Sequence, residues 1–202
     1  MEPIAINARL GDGMLHFRGK NAGLSMQSTM LDWLTVKRDM CLLKGFDPSH
    51  ITMQTSGYTG RRDIYTFSTK VAKEITAVYH APTEELLAGL TKTDLIMWYL
   101  DDGSYHIRRH TMHLYCNSLT DAQVGILIKR IVALYGITPR RREDRKKDGR
   151  SYPYLYFPRA LVEVFRLDVE QFLLHYKIKS LFYKIGEAHP LRFPKRKEGG
   201  AL

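Results

Sequence analysis

Asp12-Gly13 and Asp102-Gly103 stand 90 residues apart, and what surrounds them repeats as well. Each closes a largely apolar, helix-compatible stretch. Fifteen residues beyond each aspartate comes an amide, Gln27 or Asn117, at the end of a predicted strand. Each strand gives way to a helix stopped by glycine: Gly45 after residues 31–44, Gly136 after residues 121–135. The second of these carries Val124, Leu127, Ile128, Ile131 and Leu134, the spacing of one buried helical face. A strand pair follows each glycine, residues 51–57 with 64–68 and 137–142 with 152–157, and Phe67 and Phe157 are again 90 apart. Two copies of helix, hairpin, helix, hairpin, helix is the simplest parse. It divides the chain into a first half at 1–80, a linker at 81–91, a second half at 92–193 and a basic tail at 194–202. Duplicated halves pack about an approximate twofold axis, which brings equivalent residues together at the centre.

Chemistry enters at the aspartates. A carboxylate in the last turn of a helix meets the negative end of the helix dipole, at a cost of about 0.3 to 1 kcal/mol. Two of them near one axis either share a proton or bind a cation. Oxygen ligands and availability point to Mg²⁺. The competing reading of an isolated Asp-Gly is a two-residue hairpin turn. Equivalent placement in both repeats favours the metal.

Charge names the partner class. Residues 1–91 carry 10 basic and 9 acidic side chains, whereas residues 92–202 carry 21 and 12. The run from Pro139 to Arg150 has seven bases against three acids. A net charge of +10 concentrated in one half implies a polyanion. Around the run, Tyr152, Tyr154 and Tyr156 alternate with Pro153, Leu155 and Phe157, and His113 and Tyr115 alternate with Met112, Leu114 and Cys116. These are half-buried strands with one polar, hydrogen-bonding face. Cys41 and Cys116 form no clustered spacing, so a disulfide framework or zinc site is not expected and a reducing, intracellular setting is. The eight histidines form no ligand cluster. The apolar stretch from Leu95 to Leu100 is far shorter than a membrane span of about 18 residues, and no basic segment precedes an apolar block at the N-terminus.

The segment Leu95-Ile96-Met97-Trp98-Tyr99-Leu100-Asp101-Asp102-Gly103-Ser104 resembles the second motif of monomeric LAGLIDADG homing endonucleases. Ala5 to Gly13, ending Leu10-Gly11-Asp12-Gly13, resembles the first, with Asn7 and Arg9 as departures inside it. The likeness continues through Pro82, the Asn117-Ser118 strand end and Ser180-Leu181-Phe182-Tyr183-Lys184-Ile185. It implies a mixed α/β fold of two pseudo-twofold-related halves, each an antiparallel sheet saddle backed by helices. The two motif helices are expected at the interface. Asp12 and Asp102 are expected to bind two or more Mg²⁺ ions, with the backbone carbonyls of Gly11 and Asp101 as further ligands. The implied reaction is hydrolysis of phosphodiesters in both strands of a long double-stranded DNA site by a monomer. Metals about 4 Å apart stabilise the attacking water and the departing oxygen. Gln27 and Asn117 match positions that order solvent around the metals, and Lys184 matches a cation near the scissile phosphate.

One departure bears on strand symmetry. Where the first half is expected to carry a lysine just before Pro82, it has Tyr79-His80-Ala81, so nicking is an alternative to double-strand cutting. A two-stranded ribbon fits the major groove with alternate side chains toward base edges. Strand parity selects His16, Arg18, Lys20, Gln54, Arg61 and Arg62 from the first half. From the second it selects Arg108, His113, Tyr115, Arg140, Arg142, Tyr154 and Tyr156. Lys146, Lys147 and Arg150 are expected on phosphates. Such an enzyme promotes mobility of an intron or intein-like element. The rival readings are an intron maturase that binds RNA and a catalytically degenerate DNA-binding protein.

Overall fold

The computed structural model describes residues 1–55, 63–145, 149 and 151–187. Arg61, Arg62, Lys146, Lys147, Arg150 and the tail at 194–202 lie outside the described residues. The first half runs α1 (Pro3–Leu10), β1 (Gly13–Arg18), β2 (Asn21–Ser28), α2 (Leu31–Leu43), β3 (Thr52–Thr55), β4 (Asp63–Ser68) and α3 (Lys73–His80). A short helix, α4 (Thr83–Gly89), occupies the expected linker and buries Leu86 and Leu87. The second half runs α5 (Lys92–Asp102), β5 (Gly103–His106), β6 (Thr111–Tyr115), α6 (Asp121–Tyr135), β7 (Arg140–Arg145), β8 (Ser151–Phe157) and α7 (Arg159–His175). Both halves build a four-stranded antiparallel sheet in the same order, β1-β2-β4-β3 and β5-β6-β8-β7. The fold is the mixed α/β arrangement of two saddle halves backed by helices. No helix among the described residues is long and apolar enough to cross a membrane.

The core explains why α5 reads as apolar on every side. All six residues from Leu95 to Leu100 are buried, because α5 packs against α1 on one side and against α7 and its own sheet on the other. From α1, Ile4, Ala5, Ile6, Ala8 and Leu10 enter the same core. Each sheet puts one face into it: Ala22, Leu24, Met26 and Phe67 from the first, Met112, Leu114, Leu155 and Phe157 from the second. The alternation expected for β6 and β8 is present, since His113, Tyr115, Tyr152, Tyr154 and Tyr156 stay half-buried on the opposite face. Thr91 caps α5 and Thr120 caps α6, each in a reciprocal capping box. Gly45 and Gly136 end α2 and α6 at φ +74° and +71°, a conformation other side chains adopt at a cost.

Register and turn geometry correct several expectations. Gly13 pairs with Met26 and Met26 with Phe67, whereas Gly103 pairs with Leu114 and Leu114 with Leu155. The counterpart of Phe67 is therefore Leu155, 88 residues on, and the interval of 90 to Phe157 has no structural meaning. The reason is the hairpin that follows each Asp-Gly. In the first half it turns on Gly19-Lys20, with Gly19 at φ +66°. In the second it has shorter strands and turns through a 3-10 segment at Ile107–Arg109 followed by left-handed His110, two residues fewer in all. Lys20 accordingly sits in a turn and not on the strand face, and Arg108 lies in the 3-10 segment. β7 continues past the expected Arg142 to Arg145, so half of the basic run is an exposed edge strand, where charged side chains discourage pairing with another sheet.

Gly136→Ala should lower stability by about 1 kcal/mol, because a Cβ is forced into the left-handed region. Gly125→Ala should raise stability by about 0.5 to 1 kcal/mol, since Gly125 is inside α6 with open space around it. Thermal or urea unfolding of both variants checks the contrast.

Candidate metal and nucleic-acid site

The ends of α1 and α5 meet where the two halves join. Asp12 follows the last turn of α1, exposed to solvent, and Asp102 is the last residue of α5. The glycine after each aspartate is packed against its own half. A Cβ on Gly13 would lie 2.5 Å from the Ala8 Cα, and one on Gly103 would lie 2.1 Å from the Tyr99 ring. Asp102 Oδ2 accepts a hydrogen bond of 3.2 Å from Trp98 Nε1, one turn back in its own helix. The Asp12 carboxylate accepts none among the described residues. Burial, then Asp12, then Asp101 push the Asp102 carboxyl up to about 6, against the opposing pull of Trp98 and Lys184. Partial loss of hydration beside the junction, then Asp101, raise the exposed Asp12 as well, opposed by Lys37 and Lys184.

Asp101 does something different from what its place in the motif implies. Its side chain is 1% exposed and pairs with a fully buried Lys37 of α2, whose ammonium lies 2.7 and 2.8 Å from the two carboxylate oxygens. The same carboxylate accepts from Trp33 Nε1 at 2.8 Å, Asn7 Nδ2 at 3.0 Å and the backbone N–H of Asp12 at 3.1 Å. Its backbone carbonyl, expected to face a metal, accepts instead from Lys184 Nζ at 3.0 Å. Asp101 is therefore withdrawn from the ligand set. A cation brought to that carbonyl would face the Lys184 ammonium.

Lys184 is buried in the 3-10 segment Phe182–Ile185, and it also donates to the Gly103 carbonyl at 2.6 Å. Its two bonds thus bracket Asp102. Burial lowers its pKa, against the raising influence of Asp101, Asp12 and Asp102. The segment is fixed from both sides. Tyr99 Oη donates to the Lys184 carbonyl at 2.7 Å, and Asp32 of α2 accepts from the N–H groups of Lys179 and Ser180, each at 2.9 Å. Asp12, Gln27, Trp33, Asp101 and Lys184 all line one cleft of about 220 Å³. Asn117 is not brought into this group. It is exposed in the turn after β6, and the register counterpart of Gln27 is Tyr115, because both follow the partner of the motif glycine.

Asp12 and Asp102 are hard oxygen donors, and apart from the Trp98 bond to Asp102 their carboxylates accept no hydrogen bond among the described residues, so they suit a divalent ion. Among the described residues no set of three or more His, Cys, Asp or Glu side chains is placed for a metal. A bound ion would take the rest of its shell from water, carbonyls such as that of Gly11, and substrate oxygens, as Mg²⁺ commonly does.

The outer sheet faces differ between halves. In the second, the His113 ring lies 4.4 Å from that of His106 and 4.7 Å from that of Tyr154, and the Arg142 guanidinium sits 4.4 Å over Tyr156. Tyr115 is 5.9 Å from Tyr154, and Arg140 stands opposite Tyr156 on the exposed edge. Burial, His106, Arg142 and Arg109 hold His113 down at about 4, so it meets a ligand as a neutral hydrogen-bonding ring. In the first half the face carries Ser25 and Ser68, 2.7 Å apart, with Thr66, exposed Gln54 and Arg18, and a half-buried His16 lying over Gly23.

Sequence reasoning missed Asp32, Trp33, Lys37 and the Asp101 carboxylate. One signal was available. In α2 the buried residues are Trp33, Leu34, Lys37 and Cys41, so a lysine stands on the apolar stripe and requires a buried partner. The two departures in the first motif are explained by the same geometry. Asn7 binds Asp101, and Arg9 ties down the end of α3 through the carbonyls of Val78, at 2.5 Å, and Ala81, at 2.6 Å.

Comparison with known proteins places the fold. Residues 10–165 match the model of the LAGLIDADG DNA endonuclease family. The fold is similar to that of the homing endonuclease I-WcaI bound to its DNA recognition sequence, at 18% identity over 91% of this chain and 84% of that one, with a TM-score of 0.69. It is also similar to I-DmoI in complex with its target DNA nicked in the coding strand and in the presence of Mn, at 12% identity over 84% and 98%, with a TM-score of 0.51. Full-length DUF199/WhiA from Thermatoga maritima matches at 9% identity over 89% and 62%, with a TM-score of 0.50. At these identities the likenesses establish the fold. No curated protein matches the chain in sequence.

The raised Asp102 carboxyl carries a pH signature. Its protonated form favours the fold, a contribution fully present below the ordinary carboxylate range and lost as pH rises through about 6. In metal-free protein, Asp102→Asn should therefore stabilise at about pH 8, by on the order of 1 kcal/mol after solvent screening, and the gain should vanish below about pH 4. Melting curves of both proteins across that range, in chelator, check it.

Proposed function

The chain belongs to the LAGLIDADG DNA endonuclease family, and from that membership and the paired aspartates we propose that it is a divalent-metal-dependent enzyme that cuts both strands of a long double-stranded DNA site as a monomer. One observation carries the reading: each repeat delivers one carboxylate to the junction, and Asp12 helps push Asp102 up to about 6. Two anions held that close favour a bound cation over two free charges.

In this proposal Asp12 and Asp102, with the Gly11 carbonyl, hold the metal. A divalent ion there supplies Lewis acidity toward the attacking water and the departing 3′ oxygen. The chain's own groups do the rest. Gln27, exposed at the end of β2 and lining the cleft, orders water beside Asp12. Lys184 spends two N–H bonds on the carbonyls flanking Asp102 and keeps its third for a phosphate oxygen, where developing charge needs a cation. Duplex DNA lies across the two sheet faces. Arg140, Arg142, His113, Tyr115, Tyr154 and Tyr156 read bases from the second sheet, and His16, Arg18 and Gln54 from the first, while Lys20 and Arg108 contact phosphates from their turns. Cutting at a site where its own coding element inserts would drive mobility of that element. The family description and the DNA-bound relatives favour DNA over the RNA-binding reading.

Purified protein with Mg²⁺ should select a cleaved site from a randomised DNA library. Asp102→Asn should slow cleavage of that site by on the order of 10³-fold or more, a loss of several kcal/mol of transition-state stabilisation, while binding persists. Gel-resolved cleavage and filter binding measure the two separately, and undiminished cleavage by the variant would remove the metal-ligand assignment.

A further inference from the structure

The repeat is broken at one pair of positions next to the proposed metal ligands. Asp102 is preceded by Asp101, and Asp12 by Gly11. The Asp101 carboxylate occupies the room that the smaller residue leaves. A Cβ on Gly11 would lie 2.5 Å from Asp101 Oδ2 and 3.1 Å from Asn7 Nδ2. Among the described residues, every side-chain donor to Asp101 comes from the first half: Asn7 of α1, and Trp33 and Lys37 of α2. The remaining donor is the backbone N–H of Asp12 itself, at 3.1 Å.

We infer that Asp101, held by Lys37, is a positioning residue for Asp12, fixing from across the interface a carboxylate that the first half does not fix by itself. The two proposed ligands are thereby held in different ways. Asp102 ends a helix whose flanking carbonyls, those of Asp101 and Gly103, are pinned by Lys184, and its own carboxylate is bonded by Trp98. Asp12 lies beyond the last turn of α1, and its backbone is bonded to the other half through one oxygen of Asp101. Among the described residues, no side chain donates to the carbonyls of Gly11 or Gly13 as Lys184 does to those of Asp101 and Gly103. Loss of the Asp101 oxygen therefore disturbs one ligand of the shared centre more than the other, and, with each half cutting one strand, it separates the cutting of the two strands in rate.

The inference rests on the nuclease reading for its strand readout but not for its structural one. Removing Asp101 alone leaves the Lys37 ammonium buried without a partner, so the variants are made in pairs. K37M/D101L removes both charges and every acceptor. K37M/D101N removes both charges but keeps an amide oxygen for the Asp12 N–H. By amide hydrogen exchange, the Asp12 N–H of the wild-type protein should exchange at least about tenfold more slowly than an open amide, as a hydrogen-bonded group does. That protection should be lost in K37M/D101L and kept in K37M/D101N. On the DNA site selected by the wild-type enzyme, K37M/D101L should accumulate nicked product, with one strand slowed about tenfold more than the other, the effect of one lost hydrogen bond of about 1.4 kcal/mol. K37M/D101N should restore the wild-type ratio. An unprotected Asp12 amide in the wild-type protein, or equal strand rates in K37M/D101L, would overturn the inference. Absence of any wild-type cleavage would count against the nuclease reading and leave the exchange measurement to decide the positioning role.

Discussion

A buried carboxylate from the second repeat, Asp101, is enclosed by donors from the first, and the junction is organised around it. Lys37, Trp33 and Asn7 all reach it, and the Lys37 ammonium also lies 4.7 Å over the Trp33 ring. A buried ion pair is weak support for net stability, since desolvation offsets much of the attraction. What it specifies is arrangement. Mismatched packing of α1, α2 and α5 would leave a charge buried alone, at a cost of roughly 3 to 5 kcal/mol. The other cross-link from α2, Asp32 to Lys179 and Ser180, sets the approach of the Lys184 segment. One helix of the first half thus orders both the carboxylate and the cation of the second.

The repeat was legible because helix and glycine signals are local. Residues 121–135 and their stop at Gly136 coincide with α6, and the alternation of tyrosines with Leu155 and Phe157 gives the face of β8. Counting at a constant interval fails once a hairpin loses two residues, which is why Asn117 and Phe157 were matched to the wrong partners. Asp101 was hidden for another reason. Its acceptors are satisfied by residues 64 to 94 positions away, and no local pattern reports such a contact. Lys37 on an apolar stripe demanded a partner without naming it.

Charge asymmetry, visible in the composition, becomes a difference in side-chain length between the two faces. The second sheet presents a cluster of tilted rings with arginines along β7, while the first presents hydroxyls bonded to one another or to backbone, as Thr66 is to the Met26 carbonyl. Guanidinium and phenol groups extend farther from a sheet than hydroxyls already bonded within it. The likeness of the halves thus lies in strand order and core, and their difference in the side chains that face outward.

The account stands on Asp12 and Asp102 acting together on one metal-binding centre. The most direct test is a double-mutant cycle on Mn²⁺ affinity in the absence of DNA, using Asp12→Asn, Asp102→Asn and the pair. Shared ligation predicts that each single change weakens binding and that the two effects depart from additivity by more than about 0.5 kcal/mol. Strict additivity, or Mn²⁺ affinity untouched by either change, would contradict it.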